Sequence, residues 1–267
     1  MIYKAGCKIN LGLSILGKRP DGYHNLESVL YPVPWNDLIE IVPSDEFSFS
    51  SSGLTIDGSS EDNLCVKAYR LVKDSYELPS VKIHLHKVIP FGAGLGGGSS
   101  DAVAVIKLIS SLFKLEIPES EMFSMAGKLG SDCPFFVNNK PAFATGTGME
   151  LHPVDIDLKG YYLAIIKPKG NVSTSEAYGN IKIYSSSGSV LQAVNQPVEK
   201  WNGLLMNDFE SSIFMNQPEL GEIKENLYKS GAQYAAMTGS GSALFGIFKE
   251  YPILPWFSDY THKVMAL

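Results

Sequence analysis

The chain has 267 residues, 45% of them hydrophobic and 19% charged, which is the composition of a folded globular protein and excludes a disordered one. Its net charge of −6 lacks the basic excess of a general nucleic-acid binder, so no nucleic-acid partner is expected. An anionic small ligand stays open, because backbone amides and a few local cations hold phosphate whatever the global charge.

Cys7, Cys65 and Cys133 are dispersed and form no C-x-x-C pair, which suits a reducing compartment and no disulfide framework. The opening "MIYKAGCKIN" lacks a signal-peptide core, and no apolar run approaches the roughly 18 residues of a membrane span. A cytoplasmic protein with no membrane partner is expected; composition leaves the oligomeric state open.

Residues 2–16, "IYKAGCKINLGLSIL", predict a strand or two that end at the turn signal "GKRPDGYHN". Residues 37–44 and 46–58 predict further short strands. Residues 60–78 carry Leu64, Ala68, Leu71 and Val72 at helical spacing, with Ser60, Asp62 or Asn63 as cap. Residues 80–90 alternate as a strand does, Val81, Ile83 and Leu85 on one face, Lys82, His84 and His86 on the other. His84 and His86 share a face without a third ligand, which predicts ordinary exposed positions and no metal pair.

After a glycine-rich run, residues 101–115 predict a strong helix, and residues 118–130 a second one that opens on Pro118 and acidic residues and closes on Gly130. "YYLAIIKP" predicts a buried strand, and residues 219–248 predict helix, strand, glycine turn and strand. The polar segment 184–197, "YSSSGSVLQAVNQP", is expected to be an exposed loop. Strands and helices interleave without a strict βαβ beat, so the fold class is α+β, with a boundary near residues 150–160.

The run "PFGAGLGGGSSDA", residues 90–102, holds five glycines between a strand and a helix. Glycine inside regular structure costs roughly 0.5–1 kcal/mol relative to alanine, so the run asks for a reason. A flexible loop without ligand is one reading. A dinucleotide site is another, since Gly92, Gly94 and Gly97 spell G-x-G-x-x-G and Glu116 lies downstream; yet several strands and a helix precede it. A nucleoside triphosphate loop is the third, because free amides at a helix start attract phosphate. It is not a Walker sequence, but Ser99 and Ser100 follow the glycines and could meet phosphate or magnesium.

Pro90, Phe91, Gly92, Ala93, Gly94, Leu95, Gly96, Gly97, Gly98, Ser99 and Ser100 are similar, position for position, to the central motif of the GHMP kinases. "MTGSGSALFG", residues 237–246, resembles the C-terminal motif of that superfamily. Residues 8–33, with "GSDCPFFV" (130–137) and "NDFE" (207–210), resemble the branch that phosphorylates a cytidine-diphosphate conjugate of methylerythritol. Gly6-Cys7, Ser131 and Cys133 depart from that pattern without removing a charged group.

The resemblance implies an ATP-binding N-terminal domain, residues 1–155, and a smaller α+β C-terminal domain, residues 156–267. It implies ATP and Mg²⁺ as cofactors and a small-molecule substrate. Phosphoryl transfer to an alcohol needs a place for the hydroxyl proton. Asp132, ahead of Pro134-Phe135-Phe136, is by sequence either a turn aspartate or that acceptor, and the resemblance favours the acceptor. Lys8, uncommon in an apolar strand, is implied to orient the reacting groups and stabilise the oxyanion. Asn10, on the same strand face, is implied to contact the methylerythritol hydroxyls. Tyr23 is implied to stack on the cytosine and His24 to read its edge, while Asn63 and Lys87 are implied to lie near the adenine end of ATP. No carboxylate stands out as a magnesium ligand; Ser99 or Ser100 is the candidate.

Overall fold

The computed structural model describes all residues except Asp57, Asn180, Lys182, Ile183 and Ser187. Two of these, Asp57 in the strand-like 46–58 segment and Ser187 in the 184–197 segment, fall within readings made above. The chain opens with β1 (Ile2–Lys18) and β2 (His24–Pro43), two long strands separated by the "RPDGY" turn. β1 is buried from Ala5 to Ile15 without alternation, which is why its sequence reads as a near-continuous apolar run.

Then come β3 (Ser48–Gly53), α1 (Leu64–Ser75) and β4 (Val81–Lys87). α2 (Gly97–Leu112) starts inside the glycine run itself, four residues earlier than the apolar periodicity predicts. α3 (Glu119–Leu129) has Pro118 at its N-cap and Gly130 at its C-cap, as predicted. A short α4 (Cys133–Asn138), β5 (Ala142–Thr145) and β6 (Glu150–Pro153) follow.

The remainder is β7 (Tyr162–Lys167), α5 (Thr174–Gly179), α6 (Ser189–Val194), α7 (Glu210–Asn216), α8 (Pro218–Lys229), β8 (Tyr234–Met237), β9 (Leu244–Phe248) and β10 (Thr261–Ala266). α6 corrects the exposed-loop expectation for residues 184–197. Val190, Ala193 and Val194 are buried, because the apolar "SVLQAV" turn presents them on one face.

The chain folds into two compact units, each built from separated pieces of sequence. β1 and β2 each contribute to both. The first unit holds residues 1–7, 35–91 and 96–140. In it β3 runs parallel to β4, and β4 pairs antiparallel with the end of β2 in the register Ile39↔Leu85 and Ile41↔Ile83. Its core joins Ile39, Ile41, Ile83 and Leu85 of the strands to Ala68 and Val72 of α1 and to Val105, Ile106 and Ile109 of α2.

The second unit holds residues 8–34, 92–95 and 141–267. There the start of β2 pairs antiparallel with β5, and β5 with β6. A separate four-stranded antiparallel sheet has the order β10-β7-β9-β8. Leu13, Ile15, Phe209, Leu220, Ile223, Met237 and Leu244 form part of its core. Among the described residues no helix is long and apolar enough to cross a membrane.

Candidate active site

The first unit supplies the helix that the glycine run opens. Gly96 is the N-cap of α2 at φ 68, a left-handed conformation that favours glycine, and no side chain caps the helix. The first intrahelical bond runs from the Ser100 amide to the Gly96 carbonyl at 2.9 Å, so the amides of Gly97, Gly98 and Ser99 precede it. With the positive end of the helix dipole they form an anion-binding arrangement.

The glycines serve different ends. A Cβ on Gly97 would fall 2.9 Å from Ile89 Cγ2 and 3.2 Å from Lys87 Nζ, so close internal packing demands glycine there. A Cβ on Gly98 would meet only Leu64, at 3.8 Å. That side of Gly98 is otherwise open. Leu64 follows Asn63, so the start of α1 flanks the start of α2. Asn63 is the N-cap of α1, and its Oδ1 accepts from the Cys65 amide at 2.9 Å.

Asp132 stands at the N-cap of α4, half-buried, with Cys133 to Val137 buried behind it. The Cys133 thiol hydrogen-bonds with Ser99, which brings the start of α4 beside the start of α2. Burial pushes that thiol up to about 11, so it stays neutral. Lys87 is buried, and its ammonium is held by Asp37 at 2.5 Å and Asp101 at 2.7 Å beneath the loop. Its charge is thus committed to two carboxylates, a setting the sequence did not disclose.

In the second unit, residues 92–95 are pinned by their backbone. The Ser242 and Ala243 amides donate to the carbonyls of Gly92 and Ala93 at 3.3 and 3.2 Å, and the Lys8 amide donates to Leu95 O at 2.9 Å. Gly94, at φ 71, leaves no room for a Cβ, which would sit 2.0 Å from Thr238 O. The two glycine motifs of the sequence therefore lie against each other at this point.

Lys8 is buried in β1 and donates through Nζ to Asn10 Oδ1 at 2.7 Å. Asn10 in turn donates through Nδ2 to Ser28 at 2.8 Å, and its backbone amide donates to the Thr238 hydroxyl at 3.2 Å. Asn10 thus orients Lys8 within this network. Asn207, quoted above only as part of "NDFE", donates to the carbonyls of Met237 and Gly239, both at 2.8 Å, and so shapes the turn that carries Thr238.

Tyr23 is 67% exposed, which leaves its ring available to stack. The backbone there is set by an Asx turn in which Asp21 accepts from the Tyr23 amide at 3.1 Å. His24 opens β2 and stacks on Tyr178 of α5, with ring centroids 4.8 Å apart and planes 23° off parallel. Tyr184 lies near, 6.4 Å from the His24 ring. Burial, and then the Lys18 charge, lower the His24 pKa below the usual histidine range, which favours the neutral ring at pH 7. Tyr178 and Tyr184 were missed by the sequence reading because they lie in a polar stretch without periodicity.

His84 and His86 bond to Ser50 and Ser52 across β3 and β4. Among the described residues no group of three or more His, Cys, Asp or Glu side chains is placed to hold a metal ion.

Residues 63–140 match the family description "GHMP kinases N terminal domain", and residues 191–252 match "GHMP kinases C terminal". The chain belongs to the GHMP kinase family. It is 48% identical over 250 residues to the 4-diphosphocytidyl-2-C-methyl-D-erythritol kinase of Parabacteroides distasonis, covering 94% of this chain and 92% of the relative. A relative of the same name from Bacteroides thetaiotaomicron is 49% identical over 259 residues, covering 96% and 94%.

Among solved structures, one of 4-(cytidine 5'-diphospho)-2C-methyl-D-erythritol kinase superposes with a TM-score of 0.80 at 31% identity, covering 92% of this chain and 90% of that one. A mevalonate kinase superposes with a TM-score of 0.72 at 15% identity, covering 93% and 91%, and shows the shared fold alone. Family membership sets aside both the flexible-loop and the dinucleotide readings of the glycine run.

Proposed function

We propose that this chain transfers the γ-phosphoryl group of ATP to the 2-hydroxyl of 4-diphosphocytidyl-2-C-methyl-D-erythritol, releasing ADP. The observation that carries the reading is identity of 48% and 49%, over nearly the full length, to relatives named for that activity. The uncapped start of α2 supports nucleotide binding through its amides and Gly98. The aromatic group of Tyr23, His24 and Tyr178 supports recognition of a flat base.

In this reading Asp132 accepts the hydroxyl proton as the phosphoryl group transfers, and Lys8 supplies positive charge to the developing alkoxide. Asn10 acts chiefly through Lys8, and Asn63 lies toward the nucleotide base. Lys87 supports the loop from below. A cytoplasmic location belongs to the same proposal.

Magnesium accompanies ATP chemistry, and the hydroxyls of Ser99 and Ser100 are hard oxygen donors of the kind it accepts. Ser99 already bonds to Cys133 and Ser100 is buried, so the fit is to a metal held mainly by nucleotide and water, with one serine as protein ligand. When bound, it would neutralise phosphate charge.

An ADP-release assay across a panel of alcohols tests the reading. Turnover is expected with the cytidine conjugate and little with mevalonate, homoserine or galactose. Faster turnover of any of those three would overturn the substrate and leave only the family.

A further inference from the structure

Lys8, Asn10 and Gly12 alternate along β1, and Ser28 stands on β2, which pairs with β1. All four lie within the second unit. Lys8 is 3% exposed, Asn10 5% and Ser28 1%, so bulk water reaches none of them to replace a missing bond. They form one chain of hydrogen bonds. Lys8 Nζ donates to Asn10 Oδ1 at 2.7 Å, Asn10 Nδ2 donates to Ser28 Oγ at 2.8 Å, and Ser28 Oγ donates to the Gly12 carbonyl at 2.6 Å.

The two ends fix the direction of the whole chain. A backbone carbonyl can only accept, and an ammonium can only donate. The single hydroxyl hydrogen of Ser28 is committed to Gly12, through the shortest of the three bonds. Toward Asn10 the same oxygen can therefore only accept. The amide must then face Ser28 with Nδ2, which leaves Oδ1 for Lys8. Turned over, Asn10 would set its oxygen against a hydroxyl with no hydrogen to spare, and its NH2 group against the ammonium.

Thr238 tolerates either orientation. Its hydroxyl lies 3.2 Å from Asn10 Oδ1, but the Gly94 carbonyl, at 3.1 Å, is a second acceptor for its one hydrogen. With that hydrogen on Gly94, Thr238 could accept from a reversed amide. The choice of orientation thus falls to Ser28. Lys8 Nζ is confined on its other side by the turn at Gly239, where a Cβ would stand 3.4 Å from it.

We propose that Ser28 is a positioning residue for phosphoryl transfer: its hydroxyl sets the orientation of the Asn10 amide, and the amide oxygen so presented holds the Lys8 ammonium at the reacting oxygen. The inference rests on the reading that Lys8 supplies charge to the developing alkoxide. Its place two links from Lys8 makes Ser28 matter to the chemical step and not to the binding of ATP.

Steady-state ADP release with the cytidine conjugate, together with calorimetry of ATP binding, tests it on the full chain. Ser28→Ala removes the acceptor and leaves the Asn10 amide free to reverse. It is expected to lower kcat roughly 10- to 100-fold, the effect of one misplaced buried bond to a charged group, with the Kd for ATP unchanged. A double-mutant cycle separates this from mere loosening of the strands. With Asn10→Leu already in place, adding Ser28→Ala should change kcat by less than about twofold, because the link through which it acts is gone. An equal loss of kcat in both backgrounds, parent-level kcat in Ser28→Ala, or a Kd for ATP that rises in step with the loss would each overturn the proposal.

Should Ser28→Ala fail to fold, Ser28→Cys fills the same space with a weak donor and acceptor. The same kcat loss at unchanged Kd supports the proposal, and parent-level kcat sinks it. Lys8→Met is the control for the underlying reading. Parent-level turnover in that variant would overturn the role of Lys8 and the inference with it, whereas an inactive Lys8→Met beside an unaffected Ser28→Ala would overturn the inference alone.

Discussion

Asp132 takes its place from its neighbours. The apolar stretch Cys133–Val137 buries α4 and leaves the aspartate half-exposed at its start. Removing its charge while keeping its shape isolates the proton-accepting role. Asp132→Asn is expected to lower kcat by about 10²-fold or more, the usual share of a general base, with ATP affinity unchanged by calorimetry. Near-parent turnover would return Asp132 to the rank of a turn residue. The Tyr23–His24 pair makes a second case at this scale. Stacking on an aromatic ring contributes roughly 1–3 kcal/mol, and an unpaired base edge costs about as much again. Tyr23→Ala with His24→Ala is therefore expected to raise KM for the cytidine substrate by roughly 10²-fold and leave KM for ATP nearly unchanged. A parallel rise in both would place the loop at the nucleotide instead.

At the scale of elements, the glycine run is two structures joined end to end. Residues 92–95 are a backbone-to-backbone seam against the turn 238–242, and residues from Gly96 onward are the start of a helix. Single substitutions should separate these roles. Gly94→Ala puts a methyl 2.0 Å from Thr238 O at a left-handed φ, so it should destabilise the fold by roughly 1–3 kcal/mol, visible as a lower Tm. Gly98→Val meets only Leu64 and keeps a helical φ, so Tm should hold while ATP binding is lost to calorimetry. If Gly98→Val binds ATP normally, the amides of α2 are not the phosphate site. The run was legible as a helix start because strand, glycines and apolar helix follow in order. That Gly97 exists to clear Ile89 and Lys87, and Gly94 to clear Thr238, was not legible, since those contacts join distant positions. For the same reason the resemblance, which places Lys87 near the adenine end of ATP, does not disclose what holds its ammonium. Only the fold brings Asp37, fifty residues away, and Asp101 to its ammonium. α4, β5 and α7 were missed because elements of four to seven residues complete too little of a period to register.

Across the whole molecule, the two units each bury a carboxyl whose pKa is raised. In the first unit it is Asp101, at about 7. In the second it is Glu210, raised chiefly by burial although Lys224 and the Met237 amide both bond to it. A carboxyl with a raised folded-state pKa binds its proton more tightly in the folded protein. Its favourable contribution is therefore complete below the unfolded value near 4 and is lost as pH rises through the folded value. For Asp101 that window runs from about 4 to about 7, and within it unfolding free energy should fall by up to about 1.4 kcal/mol per pH unit. Asp101→Asn cannot ionise, so urea unfolding of parent and variant should diverge with pH. The variant is expected to gain stability relative to the parent between about pH 5 and pH 8, and Glu210→Gln should shift the balance in the same direction. Because the two carboxyls lie in different units, with no partner in common, the two effects should add in the double variant. A difference between parent and Asp101→Asn that does not change with pH would mean the aspartate is ionised throughout, and that Lys87 alone sustains two buried charges.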